Sequence, residues 1–381
     1  MYNILCIGSC SDVKQNRFTG QSVMFDGVIN HLKNHGMGVS VVDISQKNNK
    51  NGVLFRTLDY LLILPKVFWK LIRNRLDICY ITSSQSKNGF LRDYAMITMC
   101  RWFQVPVITH QYGANYNQLT NALGEKGLVL LKKMLNYTSV IIVEGQYMKN
   151  QYSFLDSFEK KVKVIPNGLP IVGKNAMQEK KYSPEYPFKM YYLSNLIWSK
   201  GYFDVLQAVE LLVNKFGKSV ECIFSGNFLS SVDDEKPGIS NKEDFDKYIK
   251  KHHLEKVVSY YPGMYGDQKD ETFATSNVFL LPSYYINEGQ PVSIIEAMAY
   301  GCVPIVTNYR HIPMMVNPEN GCFVKPQCPE QIAETIVQLM DHPAEYASKS
   351  AACIRDYKDN FTFEIYASKV LQCMNEVIKA R

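Results

Sequence analysis

Short apolar runs recur along the chain, each followed by a polar loop and a longer stretch with helical periodicity, the pattern of alternating buried strands and amphipathic helices. The clearest unit runs from Val278 to Thr307. An apolar strand (Val278 to Leu281) leads into a polar loop, then a helix from Pro291 to Tyr300, a stop at Gly301, and a second apolar strand from Val303 to Thr307. That is a βαβ unit.

The same rhythm organises the N-terminal half. Asn3 to Gly8 reads as a buried strand, followed by a polar loop to Thr19, a helix from Val23 to His35 stopped by Gly36, and a strand from Val39 to Ile44. A helix is expected between Leu54 and Arg75, broken or bent at Pro65. Strand Asp77 to Ile81, helix Asn88 to Trp102, strand Val105 to His110, helix Leu128 to Leu135, strand Ser139 to Val143, a helix to Leu155 and strand Lys163 to Ile165 follow. After Gly168 the composition turns to Lys, Glu, Pro and Ser, which reads as a linker over 171–189.

Beyond it a second αβ run starts with strand Met190 to Leu193, a loop ending in Lys200-Gly201, helix Phe203 to Phe216, and strand Val220 to Ser225 closed by Gly226. An acidic insertion (Asp233 to Glu235), a polar helix from Asn241 to His252, strand Val257 to Tyr260, Gly263 and helix Asp267 to Thr275 lead into the βαβ unit already described. Strand Cys322 to Val324, helix Glu330 to Met340 and two helices between Ala344 and Arg381 close the chain. The last is long and amphipathic enough to pack back on the first domain. The expected division is an N-terminal domain over 1–170, the linker, and a C-terminal domain over 190–362, with 363–381 returning to the first.

The loop before the Pro291 helix carries the candidate chemistry. Pro291 suits a first helical position, and the first-turn amides near Val292 and Ser293 favour an anion. Glu288 stands in the loop and Glu296 eight positions on in the helix, roughly 10 Å along the axis, so both can face a crevice beyond the strand ends. Carboxylates beside phosphate-binding amides point to a ligand with phosphate in the middle and hydroxyls at both ends. Solvated surface acids are the plain alternative for either residue. His110, ending an apolar strand, should protrude at the ligand-bearing edge, or else be a satisfied structural histidine. Gly20 stands alone, without the full dinucleotide fingerprint. Asp244-Phe-Asp246 spells a metal-dependent transferase signature, but on a helix its two acids diverge.

Composition adds three limits. The 381 residues are 46% apolar and 20% charged with a mean hydropathy of −0.17, an ordinary globular balance with room for two cores. Ten cysteines are scattered singly, without metal-ligand spacing, as in a reducing compartment. No secretory leader or membrane span is expected. The net charge of +6 is uneven, with 20 Lys and Arg against 10 acids in residues 1–170 and 22 against 26 in the rest. In the helix between Leu54 and Arg75, Arg56, Asp59, Lys66, Lys70 and Arg73 alternate with Leu, Phe and Trp. It is either a core helix with a basic stripe or one that lies on an anionic membrane.

With Glu288-x7-Glu296, Glu296-Ala-Met-Ala-Tyr-Gly301, Ser199-Lys200-Gly201 and Val164-Ile-Pro-Asn-Gly168 in this order, the chain resembles glycosyltransferase family 4, the retaining group 1 glycosyltransferases. The resemblance implies an α/β chain of GT-B fold, two Rossmann-like βαβ domains facing each other across a donor/acceptor cleft. It assigns His110, Glu288 and Lys200 to the reacting centre. It assigns Gly20, Asn195, Lys200, Gly201, Gly226, Gly263, Glu288, Gly289, Gln290, Pro291, Val292 and Glu296 to the donor, with Glu296 on the ribose. The family's usual Arg five residues before the lysine is replaced by Asn195, so the diphosphate rests more heavily on Lys200 and the helix amides. The co-substrate implied is a nucleoside diphosphate sugar, a UDP-sugar by preference, with no cofactor and no metal. The acceptor is a glycan or lipid-linked sugar of surface polysaccharide or glycolipid synthesis, such as O-antigen or capsule. The setting is the cytoplasm, with peripheral contact to the inner face of the membrane through 54–75 and no nucleic acid partner. Two alternatives stay open: a GT-B sugar-nucleotide epimerase, and a non-catalytic nucleotide-sugar binding subunit.

Overall fold

The structure is a computed structural model that describes residues 2–11, 19–45, 53–114, 116–169, 172–229 and 242–381, with side chains for all of these but 53–61. The acidic stretch Asp233 to Glu235 and the side chains of Arg56 and Asp59 lie outside the described residues. The chain divides into two compact units, one formed by Met1–Pro170 with Phe363–Arg381, the other by Ile171–Thr362.

In the N-terminal unit the strands are β1 (Asn3–Gly8), β2 (Gly38–Asp43), β3 (Ile78–Thr82), β4 (Val107–Gln111), β5 (Val140–Val143) and β6 (Val162–Val164). They form a parallel sheet in the order β2-β1-β3-β4-β5-β6. β3, β4 and β5 are buried at every position, as parallel strands covered on both faces must be. The helices are α1 (Gly20–Asn34), α2 (Val53–Arg73), α3 (Lys87–Trp102), α4 (Tyr116–Tyr137) and the short α5 (Gln146–Asn150) and α6 (Phe158–Lys161). Thr19 begins α1 with a capping box shared with Ser22, which moves the helix start three residues before the expected Val23.

Pro65 does not break α2. It sits inside a single helix and is exposed, on the side where water can take the carbonyl it leaves unbonded, while Ile63, Val67 and Leu71 hold the opposite side in the core. α4 begins well before the expected Leu128 because two helical segments join at Gly124, whose φ of 65° turns the chain where no side chain is present to object.

The C-terminal unit repeats the plan with β7 (Phe188–Leu193), β8 (Val220–Ser225), β9 (Val258–Tyr261), β10 (Val278–Leu281), β11 (Val303–Thr307) and β12 (Cys322–Val324), in the order β12-β11-β10-β7-β8-β9. Its helices are α7 (Tyr202–Glu210), α8 (Lys242–Lys251), α9 (Gly266–Thr275), α10 (Val292–Ala299), α11 (Pro329–Asp341) and α12 (Pro343–Asp356). The stretch whose composition suggests a linker is tied down to this unit. The Gly173 amide donates to the Tyr300 hydroxyl at 3.0 Å, Asn175 to Asp270 at 2.7 Å and the Lys180 amide to Ser350 at 2.9 Å. Polar composition hid these bonds because they join residues far apart in sequence.

The final helix, α13 (Phe363–Lys379), returns to the N-terminal unit. Tyr366, Ala367, Val370 and Met374 enter one core with Met24, Phe25, Val28 and Leu32 of α1 and with Ile4, Tyr80 and Ile108 of the sheet. α2, α3 and α4 cover the other face. Met374→Ala should therefore lower the unfolding free energy by about 2–5 kcal/mol in urea denaturation, whereas Lys369→Ala, exposed on the same helix, should change it by no more than about 0.5 kcal/mol.

Candidate active site

In the C-terminal sheet the chain runs β7 to β8 to β9 in one direction, then returns to place β10 on the other side of β7. Loops leaving the carboxyl ends of β7 and β10 therefore diverge at a topological switch point, where open α/β sheets form their ligand crevice. Lys200 lies on the first of these loops and Glu288 on the second.

Two glycines let the loops approach. Gly201, with φ of 76°, ends the short 3₁₀ turn Trp198–Lys200, and a Cβ there would lie 2.6 Å from the Pro282 carbonyl at the end of β10. Gly226, with φ of 144°, presses on the other side of the first loop, where a Cβ would stand 1.9 Å from the Ser194 carbonyl. The result is that Lys200 Nζ lies 3.1 Å from Ser194 Oγ, 3.4 Å from Glu288 Oε1 and 5.3 Å from the Tyr285 ring centre. Glu288 is buried, and its second oxygen accepts the Ser283 hydroxyl at 2.5 Å. A buried carboxylate needs a cation and a donor, and here it has both.

Pro291 is the N-cap of α10, so the helix starts at Val292, one position after the expected Pro291, and no side chain caps this end. The first amides, at Val292 and Ser293, therefore have no side-chain cap, and a helix end of this kind favours an anion. Gln290 and Pro291 are buried in the same loop. Glu296 faces a different lysine: its Oε1 is 2.7 Å from Lys269 Nζ on α9. Ser283, Tyr285 and Lys269 went unread in the sequence, although Ser283 follows β10 by two residues and Lys269 sits in the helix feeding it. Asn195 is exposed and presents no charge. Gly263 lies against the Tyr265 ring, apart from any of these contacts. The Asp244-x-Asp246 pair forms no joint site, since Asp246 is bonded to Lys242 one turn away at 2.5 Å.

In the N-terminal unit Gly20 opens α1, and a Cβ there would meet nothing within 4 Å among the described residues. His110 does not protrude from its strand. It is fully buried, its Nδ1 lies 2.7 Å from the Tyr80 hydroxyl, its ring stacks on Tyr112 at 4.3 Å, and its Nε2 is buried without a partner. Tyr112 in turn bonds Tyr366 of α13 at 2.7 Å. The strand-end position alone did not show that a tyrosine from the next loop would fold over it. A separate cavity of about 460 Å³ opens near the carboxyl ends of β4 and β5, lined by Asn117, Thr120, Asn121, Tyr147, Asn150 and Ser153 among others.

Residues 173–357 match the family described as glycosyl transferases group 1. The matched stretch lies within the C-terminal unit and is just under half of the chain. A Bacillus subtilis protein named for teichuronic acid biosynthesis, the glycosyltransferase TuaC, is 22% identical over 242 residues, 62% of this chain; the chain spans 55% of that protein's length. Among solved structures, Anabaena HepE in complex with UDP superposes with a TM-score of 0.70 at 14% identity, covering 98% of this chain and all of its own. A Rickettsia africae glycosyltransferase gives 0.70 at 15%, covering both chains entirely, and the lipopolysaccharide outer core galactosyltransferase WaaB gives 0.68 at 13%, covering 99% of each. The fold is GT-B. The group 1 match contains Lys200, Glu288 and Glu296, whereas His110 and Gly20 lie outside it.

Burial pushes His110 down to about 3, from an ordinary value of 6.5. Between those values the unfolded chain binds a proton that the folded chain does not, so this contribution to stability is complete above about pH 6.5 and is lost as pH falls toward 3. His110→Gln should remove up to about 1.4 kcal/mol per pH unit from the slope of unfolding free energy between pH 6 and 4. Equal slopes in chemical denaturation of the two proteins would mean that His110 takes a proton in the folded state.

Proposed function

We propose that the protein is a retaining glycosyltransferase of family 4 that moves a sugar from a nucleoside diphosphate sugar, a UDP-sugar by preference, to a glycan or lipid-linked acceptor. The observation that carries this reading is the Lys200–Glu288–Ser283 cluster at the β7/β10 switch point beside the uncapped start of α10. HepE, of the same fold, has been solved with UDP and with UDP-glucose, which supports the choice of nucleotide.

The chemistry follows from charge. As the glycosidic bond to the diphosphate breaks, negative charge grows on the departing oxygen, and Lys200 with the α10 amides supplies the positive field. At 3.4 Å the Lys200–Glu288 contact is loose, so the ammonium can turn to phosphate while Ser283 keeps the carboxylate in place to accept sugar hydroxyls. Glu296, steadied by Lys269, takes the ribose hydroxyls in this reading. With Asn195 uncharged, Lys200 is the main cation for the diphosphate.

The acceptor side is read from the N-terminal unit. The cavity at the ends of β4 and β5 offers the amides of Asn117, Asn121 and Asn150 beside the ring of Tyr147, groups that suit sugar hydroxyls and sugar faces. TuaC and WaaB are named for teichuronic acid and lipopolysaccharide core, which supports a surface polysaccharide or glycolipid as product. No described helix is long and apolar enough to cross a membrane. α2 nevertheless exposes Leu62, Phe68, Trp69 and Ile72 on the side away from its core residues, mixed with Lys66 and Arg73, the latter 4.6 Å over the Trp69 ring. We read this face as a peripheral contact with an anionic bilayer on the cytoplasmic side, where lipid-linked acceptors would be met.

Lys200→Ala and Glu288→Gln should each lower kcat by about 100-fold or more, with UDP affinity weakened mainly in the first. Unchanged turnover in both, with a working donor and acceptor, would remove the site assignment. UDP at about 100 times its Kd should stabilise the wild type by about 2.7 kcal/mol in thermal unfolding, and GDP and ADP by less. In cosedimentation with phosphatidylserine vesicles, binding should fall with added salt and vanish when Lys66, Lys70 and Arg73 are changed to Glu. Undiminished binding in that variant would rule out the α2 face.

A further inference from the structure

Helix α1 presents His31 and His35 one turn apart, and the first turn of α13 brings Glu364 against them. The approach is close because Phe363 packs on Gly27, where a Cβ would stand 2.5 Å from the ring. One ligating atom from each of His31, His35 and Glu364 lies within 4.8 Å of the others, the one such His, Cys, Asp or Glu cluster among the described residues. We propose that these three side chains bind a divalent transition-metal ion, Zn²⁺ by donor chemistry, as a staple between α1 and the returning helix α13.

The donor set is two imidazoles and one carboxylate, which zinc accepts with a fourth position left to water. His35 is already oriented for it. Its Nδ1 lies 2.9 Å from the His31 carbonyl, so that nitrogen carries the proton and Nε2 keeps its lone pair for a metal, the arrangement in which a backbone carbonyl orients a ligating histidine. His31 Nδ1 lies 3.4 Å from Glu364 Oε2, close to the separation of roughly 3.4 Å between two ligands held at 2.0–2.2 Å by a tetrahedral zinc. The His31 and His35 rings are 4.1 Å apart, and both His35 and Glu364 are exposed, so small rotations bring the remaining ligand in.

The three side chains come from two elements far apart in sequence, so an ion held by them would join α1 to α13. The position also has a consequence. Two residues along α13, Tyr366 bonds Tyr112, which stacks on His110, so an ion at the α1–α13 junction fixes the helix that seats that histidine.

The test uses the full-length protein freed of metal with a chelator and then exchanged into chelator-free buffer. Added ZnCl₂ should raise the thermal midpoint of the wild type by several degrees with one ion bound per chain in calorimetry, and MgCl₂ should not. CoCl₂ should give the intense visible absorption of a tetrahedral site. His35→Ala and Glu364→Gln, both at exposed positions where folding is not at stake, should each weaken zinc binding at least tenfold and remove the midpoint shift. Absence of a zinc-dependent shift in the wild type overturns the proposal, and so does a shift that survives in either variant, which would place the ion on a thiol such as Cys10 instead.

Discussion

A parallel sheet has no face it can leave to water, and much of this architecture follows from that constraint. In the N-terminal unit β3, β4 and β5 are buried throughout, so both faces need helices. α2, α3 and α4 fill one side. On the other, α1 shares the cover with α13, which arrives from the far end of the chain to bring Tyr366, Val370 and Met374 into the core. The N-terminal unit is therefore not complete until residues 363–381 are in place.

The same constraint locates the chemistry. Helices on both faces leave the strand ends as the place where polar groups can gather, and the reversal of strand order between β7 and β10 opens the gap there. A carboxylate set into that gap has to be compensated, and Lys200 with Ser283 compensates Glu288. Gly201 and Gly226 are part of this arrangement because a methyl group at Gly201 would strike the Pro282 carbonyl on the acid's loop and one at Gly226 the Ser194 carbonyl on the lysine's loop. A buried pair of this kind adds little net stability on its own.

The periphery shows a second division of labour along single helices. α2 buries Ile63, Val67 and Leu71 and turns Leu62, Trp69 and Ile72 outward among basic residues, so one sequence serves a core and a surface at once. α1 buries Met24, Val28 and Leu32 while His31 and His35 meet the start of α13.

Element types and most boundaries were legible in the sequence because burial on both faces leaves apolar runs, as at Val278–Leu281 and Val303–Thr307, and because Gly36 and Gly301 mark helix ends. Glu288 and Lys200 were legible for a similar reason, since each stands just beyond a recognisable strand. What the sequence could not determine was partnership across long separations. Lys269 with Glu296, Tyr80 with His110 and His31 with Glu364 are joined by topology, not by spacing. Periodicity reports which side of an element is apolar; only the tertiary structure decided that Trp69 faces outward, that Tyr112 closes over His110, and that the end of the chain completes its beginning.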